Sequence, residues 1–288
     1  MTPTTMRGVL LRGHGGLNQL DYREDLPVPA PGPGEVLIET GAAAVNNTDI
    51  NLRTGWYSKT ANTAQDAGWS GTAVSFPRIQ GADACGRIAG VGRGVDAARI
   101  GERVLVNPVF AADEKAGTAV RYFGSDTEGA FAQFAVVPAA NACQITSALS
   151  DIELASFPCS YSAAENLLTR AAVKAGEIVL VTGASGGVGS AVVQLARRRG
   201  AHVIAIAGAK KAAAVKSLGA DRLLERNANL EGELGRESAD VVVDVVGGAQ
   251  FSSLLAVLRR GGRYAIAGAI AGPRVDLDLR TLYLKDLQ

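Results

Sequence analysis

The stretch from Ile178 to Gly208, IVLVTGASGGVGSAVVQLARRRGAHVIAIAG, admits few folds, because it reads strand, glycine-rich turn, helix, strand without a spare residue between them. Ile178–Val181 is an unbroken apolar run, as expected of a strand buried on both faces of a parallel sheet. Beyond the turn, Val188, Val192, Leu195 and Ala196 recur at helical spacing, Arg197, Arg198 and Arg199 put positive charge near the helix C-terminus, and Gly200 can cap it. Val203–Ala207 is a second apolar strand. A glycine pattern alone fits an ordinary loop. Between a buried strand and an amphipathic helix it predicts a dinucleotide site, since a pyrophosphate needs close backbone approach and the exposed N–H groups of a helix N-terminus. The spacing is Ala184-x-Gly186-x-x-Gly189, preceded by Gly183. Gly186 and Gly187 allow the close approach, Gly189 lets the helix lie against the sheet, and Ser185 and Val188 complete the candidate residues of the turn.

With 288 residues, of which 47% are hydrophobic and 20% charged, the chain has room for about two domains. A net charge of +1 leaves no electrostatic footprint for nucleic acid or an acidic membrane surface, so small molecules are the expected partners. Cys85, Cys143 and Cys159 are odd in number and lack CxxC spacing, which argues against a disulfide framework and for a reducing cytoplasm. The first residues, MTPTTMRGVLLRGHGG, have neither the apolar core of a signal peptide nor a membrane anchor. A cytoplasmic, soluble protein is the expectation.

The run TGASGGVGSAVVQLA, followed by LGAD at Leu218 to Asp221, resembles the medium-chain dehydrogenase/reductase superfamily, in its quinone-oxidoreductase-like and alcohol-dehydrogenase-like branch. The resemblance extends from Arg7 to the end of the chain. It implies an α/β protein with a GroES-like β-barrel catalytic domain over residues 1–150 and a Rossmann domain, a doubly wound parallel sheet binding NADP, over residues 151–288. The final LDLRTLYLKDLQ resembles the segment that leads relatives into a sixth sheet strand and a return to the catalytic domain. A fragment or shortened form with an exposed sheet edge is therefore expected. Quaternary state in this family depends partly on that strand, which leaves a homodimer open.

In chain order, Met6–Arg12 reads as a strand, Asp25–Gly34 as a proline-rich extended connection, and Glu35–Val45 as a strand. The glycines and short apolar runs of Gly81–Val106 suggest a compact barrel. Asn46-Asn47-Thr48-Asp49 follows directly on a strand, and two asparagines there can simply close a turn. The resemblance gives them another meaning: zinc-dependent relatives carry Cys-x-Thr/Ser-Asp at this place, and zinc-free quinone reductases carry asparagine where Asn46 stands. Tyr57 is either packing beside Trp56 or a hydroxyl donor to a substrate oxygen. Ser58–Ser75, a long polar stretch containing Trp69, reads as a lid or as surface. At Gly81-Ala82-Asp83 the zinc-dependent relatives show Gly-His-Glu, and Asn107–Gln133 lacks the four cysteines of their structural-zinc lobe. Cys159 falls where some relatives have a third catalytic-zinc ligand; one thiolate makes no zinc site, so a buried thiol and no bound metal are expected.

The second half reads as a helical stretch over Ser150–Lys174 interrupted at Pro158, a helix over Lys210–Leu218, and strands at Arg222–Leu224, Ala239–Val246 and Gly261–Gly268. In a doubly wound sheet ligands collect at the carboxyl ends of strands, so Val246–Gly248 and Gly268–Ala271 are expected to border the nicotinamide. No acidic residue follows the second strand to bind ribose hydroxyls; Ala207-Gly208-Ala209 leads to Lys210 and Lys211 instead. The resemblance sets Lys211 at the family's phosphate-binding lysine, and Arg226 adds a second cation or a surface for adenine. The plain alternative is a pair of solvated helix-start charges. Asp244, inside a strand, reads as a hydrogen-bonded structural group, and His14 and His202 lie remote from any expected site.

The resemblance and the residues together imply an NADPH-dependent, zinc-independent reductase of quinones, enones or similar conjugated carbonyls, with Asn46, Thr48 and Tyr57 as the residues that meet a carbonyl substrate. Thr48 keeps an alcohol or aldehyde oxidoreductase open, because in alcohol-oxidising relatives that hydroxyl passes the substrate proton. A catalytically inactive nucleotide-binding regulatory protein is the reading from another class, favoured by the lack of an obvious acid or base.

Overall fold

The first half of the chain alternates short strands with glycine-rich turns, and in the computed structural model these strands sort into three sheets; residues 2–59, 66–111 and 120–288 are described. The chain divides into two compact units, Met1–Cys159 and Ser160–Gln288. In the first, β1 (Thr5–Leu11), β2 (Leu20–Pro27), β3 (Glu35–Ala44), α1 (Asn47–Thr54), β4 (Arg78–Ile79), β5 (Asp83–Val91), β6 (Arg103–Val106), β7 (Val109–Phe110), β8 (Arg121–Tyr122), β9 (Phe134–Pro138), β10 (Ala142–Gln144) and α2 (Asp151–Ala155) follow in order. The strand orders are β2-β1-β4, β10-β6-β5-β3-β9 and β7-β8. All these pairings are antiparallel, and Val36, Ile38, Ala84, Ile88, Val104, Val106, Phe123 and Val137 form the main core. Burial of one side-chain row per strand sets that register, because a slip of one residue would turn each row to solvent.

Two features of this unit differ from the sequence reading. β2 runs to Pro27, past the start of the expected proline-rich connection, with Pro27 paired to Thr5 at the end of the ladder where a missing N–H costs least. Asn46 and Asn47 do not merely close a turn: Asn46 is the N-cap of α1, and Gly55 ends the helix in the left-handed conformation at φ 70°. Periodicity could not reveal α1, since Leu52 is its one buried apolar residue.

The second unit continues with α3 (Pro158–Arg170), β11 (Ile178–Val181), α4 (Gly187–Arg198), β12 (His202–Ile206), α5 (Ala212–Ser217), β13 (Arg222–Leu224), α6 (Leu230–Leu234), β14 (Ala239–Asp244), α7 (Phe251–Val257), β15 (Leu258–Ile266) and α8 (Leu279–Lys285). Its sheet is parallel throughout, in the order β13-β12-β11-β14-β15, with Val179 opposite both Val203 and Val241. The strand period of two sorts the apolar side chains. Val179, Val181, Val203, Val241 and Val243 pack with Leu168 of α3 and Val192 of α4, while Leu180, Ile206, Leu224 and Val242 pack with Leu254 and Leu255 of α7. Helices thus cover both faces, the doubly wound arrangement expected from the uninterrupted apolar strands. The expected Lys210 helix begins later, at Ala212, after a single 3-10 turn over Ala209–Lys211. Among the described residues no helix is long and apolar enough to cross a membrane.

Leu180 is fully enclosed, whereas Ile270 is 73% exposed. Leu180→Ala is expected to lower the unfolding free energy by about 3 kcal/mol, and Ile270→Ala by under about 0.5 kcal/mol, as read by urea denaturation.

Candidate active site

Two buried carboxylates organise the first unit's polar cluster. The chain leaves β3 at Ala44 and enters α1 through Asn46, whose N–H donates to Asp49 Oδ2 at 2.8 Å. Asp49 Oδ1 accepts the Gly81 N–H at 3.1 Å, and its backbone carbonyl accepts Gln80 Nε2 at 2.9 Å. Asp49 therefore fastens the start of α1 to the segment before β5. Burial pushes its carboxyl up to about 6, against the opposing pull of the Asn46 and Gly81 N–H groups. Asp83, the first residue of β5, is 1% exposed; its Oδ2 accepts Asn46 Nδ2 at 3.1 Å and its Oδ1 accepts the Cys159 N–H at 2.6 Å. Burial raises its pKa as well.

Cys159 carries the cluster onward. Its Sγ lies 3.1 Å from the Tyr122 hydroxyl and 4.0 Å from Thr48 Oγ1, and burial, followed by the Asp83 charge, pushes the thiol up to about 11. The Tyr57 and Tyr122 phenols are also raised by burial, and the Thr48 hydroxyl opposes the rise in both. Each stays protonated near neutral pH, a donor without charge. Trp69 stacks on Tyr122 with ring centroids 4.4 Å apart and planes at 20°. The structure thus gathers Asn46, Thr48 and Tyr57 and adds Asp83 and Tyr122, which sequence reasoning missed. Nothing in the Arg121-Tyr122-Phe123 run marks Tyr122, whereas Asp83 was readable as the acid closing Gly81-Ala82-Asp83. Residues 60–65 of the expected Ser58–Ser75 lid lie outside the described residues.

A catalytic zinc ion takes about three nitrogen, sulfur or oxygen ligands from protein. At the three positions where the resemblance sets them, one Asn46 amide N–H is directed at Asp83, Ala82 has no donor, and Cys159 is a high-pKa thiol beside a phenol. Both Asp83 oxygens already accept N–H groups. These residues do not fit a zinc ion, and among the described residues no group of three or more His, Cys, Asp or Glu could hold a metal.

The second unit offers a dinucleotide cradle. Gly186 is the N-cap of α4 with no side-chain cap, and Gly186 and Gly187 are exposed while Ser185 and Val188 are half-buried. A Cβ on Gly189 would stand 2.2 Å from the Gly183 carbonyl oxygen, whereas one on Gly186 would meet only that oxygen at 3.4 Å. The first is a packing contact that excludes any side chain; the second leaves open space over a helix N-terminus, which suits a pyrophosphate. At the end of β12 a Cβ on Gly208 would lie 3.4 Å from Arg226 Nε, and Lys210 and Lys211 are exposed beside it. Asp244 is fully buried and accepts from Thr182 Oγ1 at 2.5 Å, the Val246 N–H at 2.8 Å and the Tyr264 hydroxyl. It is the hydrogen-bonded structural group expected of it, and it joins the turn after β11 to the turn that carries Val246. Gly268 follows β15 and packs against the backbone carbonyl of Val245, where a Cβ would come within 2.5 Å of the oxygen.

Comparison with known proteins agrees with this architecture. Residues 32–147 match the alcohol dehydrogenase GroES-like domain and residues 187–288 match the zinc-binding dehydrogenase family. Acryloyl-coenzyme A reductase of Metallosphaera sedula is 30% identical over 294 residues, which cover 98% of this chain and 82% of that protein. The chain belongs to the medium-chain dehydrogenase/reductase superfamily. It is an oxidoreductase of that family. Bovine prostaglandin reductase-3 is 32% identical over 87% of the chain, which spans 59% of that relative's length, and human quinone oxidoreductase is 29% identical over 92% of the chain and 73% of its own. Among solved structures, a Sinorhizobium meliloti 1021 protein provisionally described as an alcohol dehydrogenase is 47% identical with a TM-score of 0.89, covering 99% of this chain and 81% of its own. A mycobacterial protein solved with NADPH is 29% identical with a TM-score of 0.78, covering 98% and 80%. Residues 187–288, which match the zinc-binding dehydrogenase family, hold no cysteine and one histidine, His202.

This geometry predicts two outcomes. Gly186→Ala is expected to fold normally yet bind a nicotinamide dinucleotide at least about tenfold more weakly in a fluorescence titration, because its methyl fills the space of the phosphate. Asp49 has a folded-state pKa above its unfolded value, so its contribution to stability is full at pH values below the unfolded pKa and is lost as pH rises through about 6. Denaturation of the wild type between pH 4 and 7 should show this loss, on the order of 2 kcal/mol, and Asp49→Asn should remove that part of the slope.

Proposed function

We propose that this chain is a zinc-independent, NADPH-dependent reductase that delivers hydride to a quinone, enone or similar conjugated carbonyl. The observation that carries the reading is that two of the family's three zinc positions, Asn46 and Cys159, both donate to the Asp83 carboxylate while the third is Ala82, which leaves hydroxyl and amide hydrogens to meet a substrate oxygen. When bound, the nicotinamide supplies the hydride. The residues of the chain bind, orient and donate. A simple ketone concentrates charge on its oxygen as hydride arrives and calls for a Lewis acid or a strong proton donor. A conjugated acceptor spreads that charge, so neutral donors from Asn46, Thr48 and Tyr57 suffice. Ser185, Gly186, Gly187, Val188 and Gly189 would hold the pyrophosphate, Val246 and Gly268 would border the nicotinamide, and Lys211 with Arg226 would meet the 2′-phosphate.

Support for NADPH comes from the pairing of Arg226 with Gly208 beside Lys210 and Lys211, and from the NADPH-bound mycobacterial neighbour. The quinone and enone classes are supported by quinone oxidoreductase, prostaglandin reductase-3 and acryloyl-coenzyme A reductase among the relatives. Alcohol or aldehyde oxidation remains a second reading, favoured by Thr48 and by the Sinorhizobium neighbour.

Oxidation of NADPH and NADH over a panel of quinones, enones, aldehydes and ketones tests the proposal. Turnover of conjugated acceptors with NADPH preferred is the expected result; preference for NADH, for simple aldehydes, or for no acceptor at all would overturn it. Lys211→Ala should weaken NADPH at least about tenfold and leave NADH within about twofold, since only the 2′-phosphate contact is lost.

A further inference from the structure

No pattern in the sequence marks Gln250, yet its side chain ties together two loops at the carboxyl edge of the parallel sheet. Its Nε2 donates to the Arg226 carbonyl at 2.6 Å. Arg226 follows β13 and Gln250 follows β14, and both β12 and β11 lie between those strands in the sheet. The Gln250 end of this strap is firmly held. Asp244 accepts the Val246 and Gly247 N–H groups at 2.8 and 3.1 Å, and a Cβ on Gly248 would stand 2.7 Å from the Ala271 carbonyl oxygen. Gln250 itself is the N-cap of α7, whose Leu254 and Leu255 are buried in the core. The Arg226 end has less to hold it. Pairing between β12 and β13 stops at Leu224, two residues short of Arg226, and the Gln250 amide takes over beyond it. The Arg226 side chain is exposed, and among the described residues it enters no ion pair. Its guanidinium lies along the end of β12, where a Cβ on Gly208 would stand 3.4, 3.6 and 3.7 Å from Nε, Cζ and Nη2.

We propose that Gln250 is a positioning residue for the cofactor's 2′-phosphate, acting through the backbone of Arg226. The inference rests on the proposed preference for NADPH, in which Arg226 and Lys211 meet that phosphate. An exposed arginine on the loop after a three-residue edge strand has much side-chain and backbone freedom to lose when it binds an anion. Fixing its backbone beforehand removes part of that cost, and the gain is confined to ligands that Arg226 touches. Glutamine suits the task because its amide donates without adding charge beside a phosphate. The strap also sets the Arg226 loop against the turn carrying Val246, so that one side chain registers the two ends of the dinucleotide site.

Fluorescence titration of the full chain with NADPH and with NADH, for wild type, Gln250→Met, Gln250→Glu, Arg226→Ala and the Gln250→Met, Arg226→Ala double variant, tests this. Gln250→Met keeps the side chain's length and loses its donor; it is expected to weaken NADPH about fivefold and leave NADH within about twofold. Gln250→Glu should weaken NADPH at least as much, because a carboxylate repels both the carbonyl and the phosphate. In the Arg226→Ala background Gln250→Met should have no further effect. If Gln250→Met does not fold, Gln250→Glu carries the test with the same split between the two nucleotides. Equal weakening of NADPH and NADH, unchanged NADPH affinity, or multiplying effects of Gln250→Met and Arg226→Ala would each overturn the inference and leave the NADPH reading intact. An NADPH affinity that Arg226→Ala leaves unchanged would overturn the inference together with the role of Arg226, and a wild type that binds NADH as tightly as NADPH would overturn the reading on which it rests.

Discussion

The Asp83 carboxylate, bonded on one side to the Asn46 amide and on the other to the Cys159 backbone, is the interaction on which the catalytic unit depends. It joins the residue before α1, the start of β5 and the end of the unit at one buried point. A carboxylate so enclosed must have both oxygens satisfied, since an unmet buried charge costs several kcal/mol at about the scale of a whole domain's stability. That requirement fixes where Asn46 and Cys159 sit, and with them the Thr48, Tyr57 and Tyr122 hydroxyls.

In the second unit close backbone approach has the corresponding role. The helix α4 can lie against the turn after β11 only because residue 189 has no side chain, and Asp244 then ties that turn to the one following β14. The open side of the cradle is a consequence of the same geometry: the turn that is tight on the sheet side presents bare N–H groups on the other. Buried Val, Leu and Ala rows on both sheet faces hold the arrangement rigid.

Much of this second unit was legible because its signals are local. The apolar run at Ile178–Val181, the glycines and the Val188, Val192, Leu195 spacing each report on residues within one turn or strand, and the observed elements match them closely. In the first unit the fold class was readable but the site was only partly so. Asn46 and Thr48 stand next to a strand end and carry a family pattern; α1 itself was hidden, since capping and Asp49 form it more than any apolar face. Tyr122 and Trp69 meet across 53 residues through a stack that no spacing encodes. The Asp83 bond to Cys159 spans 76 positions and likewise exists only in three dimensions.

Metal dependence tests the central claim most directly, because a self-satisfied Asn46–Asp83–Cys159 arrangement leaves no ligand set for zinc. Metal analysis of the purified protein, paired with turnover before and after exhaustive chelation, should find zinc well below one equivalent and activity unchanged. Stoichiometric zinc whose removal abolishes turnover, and whose return restores it, would contradict the account.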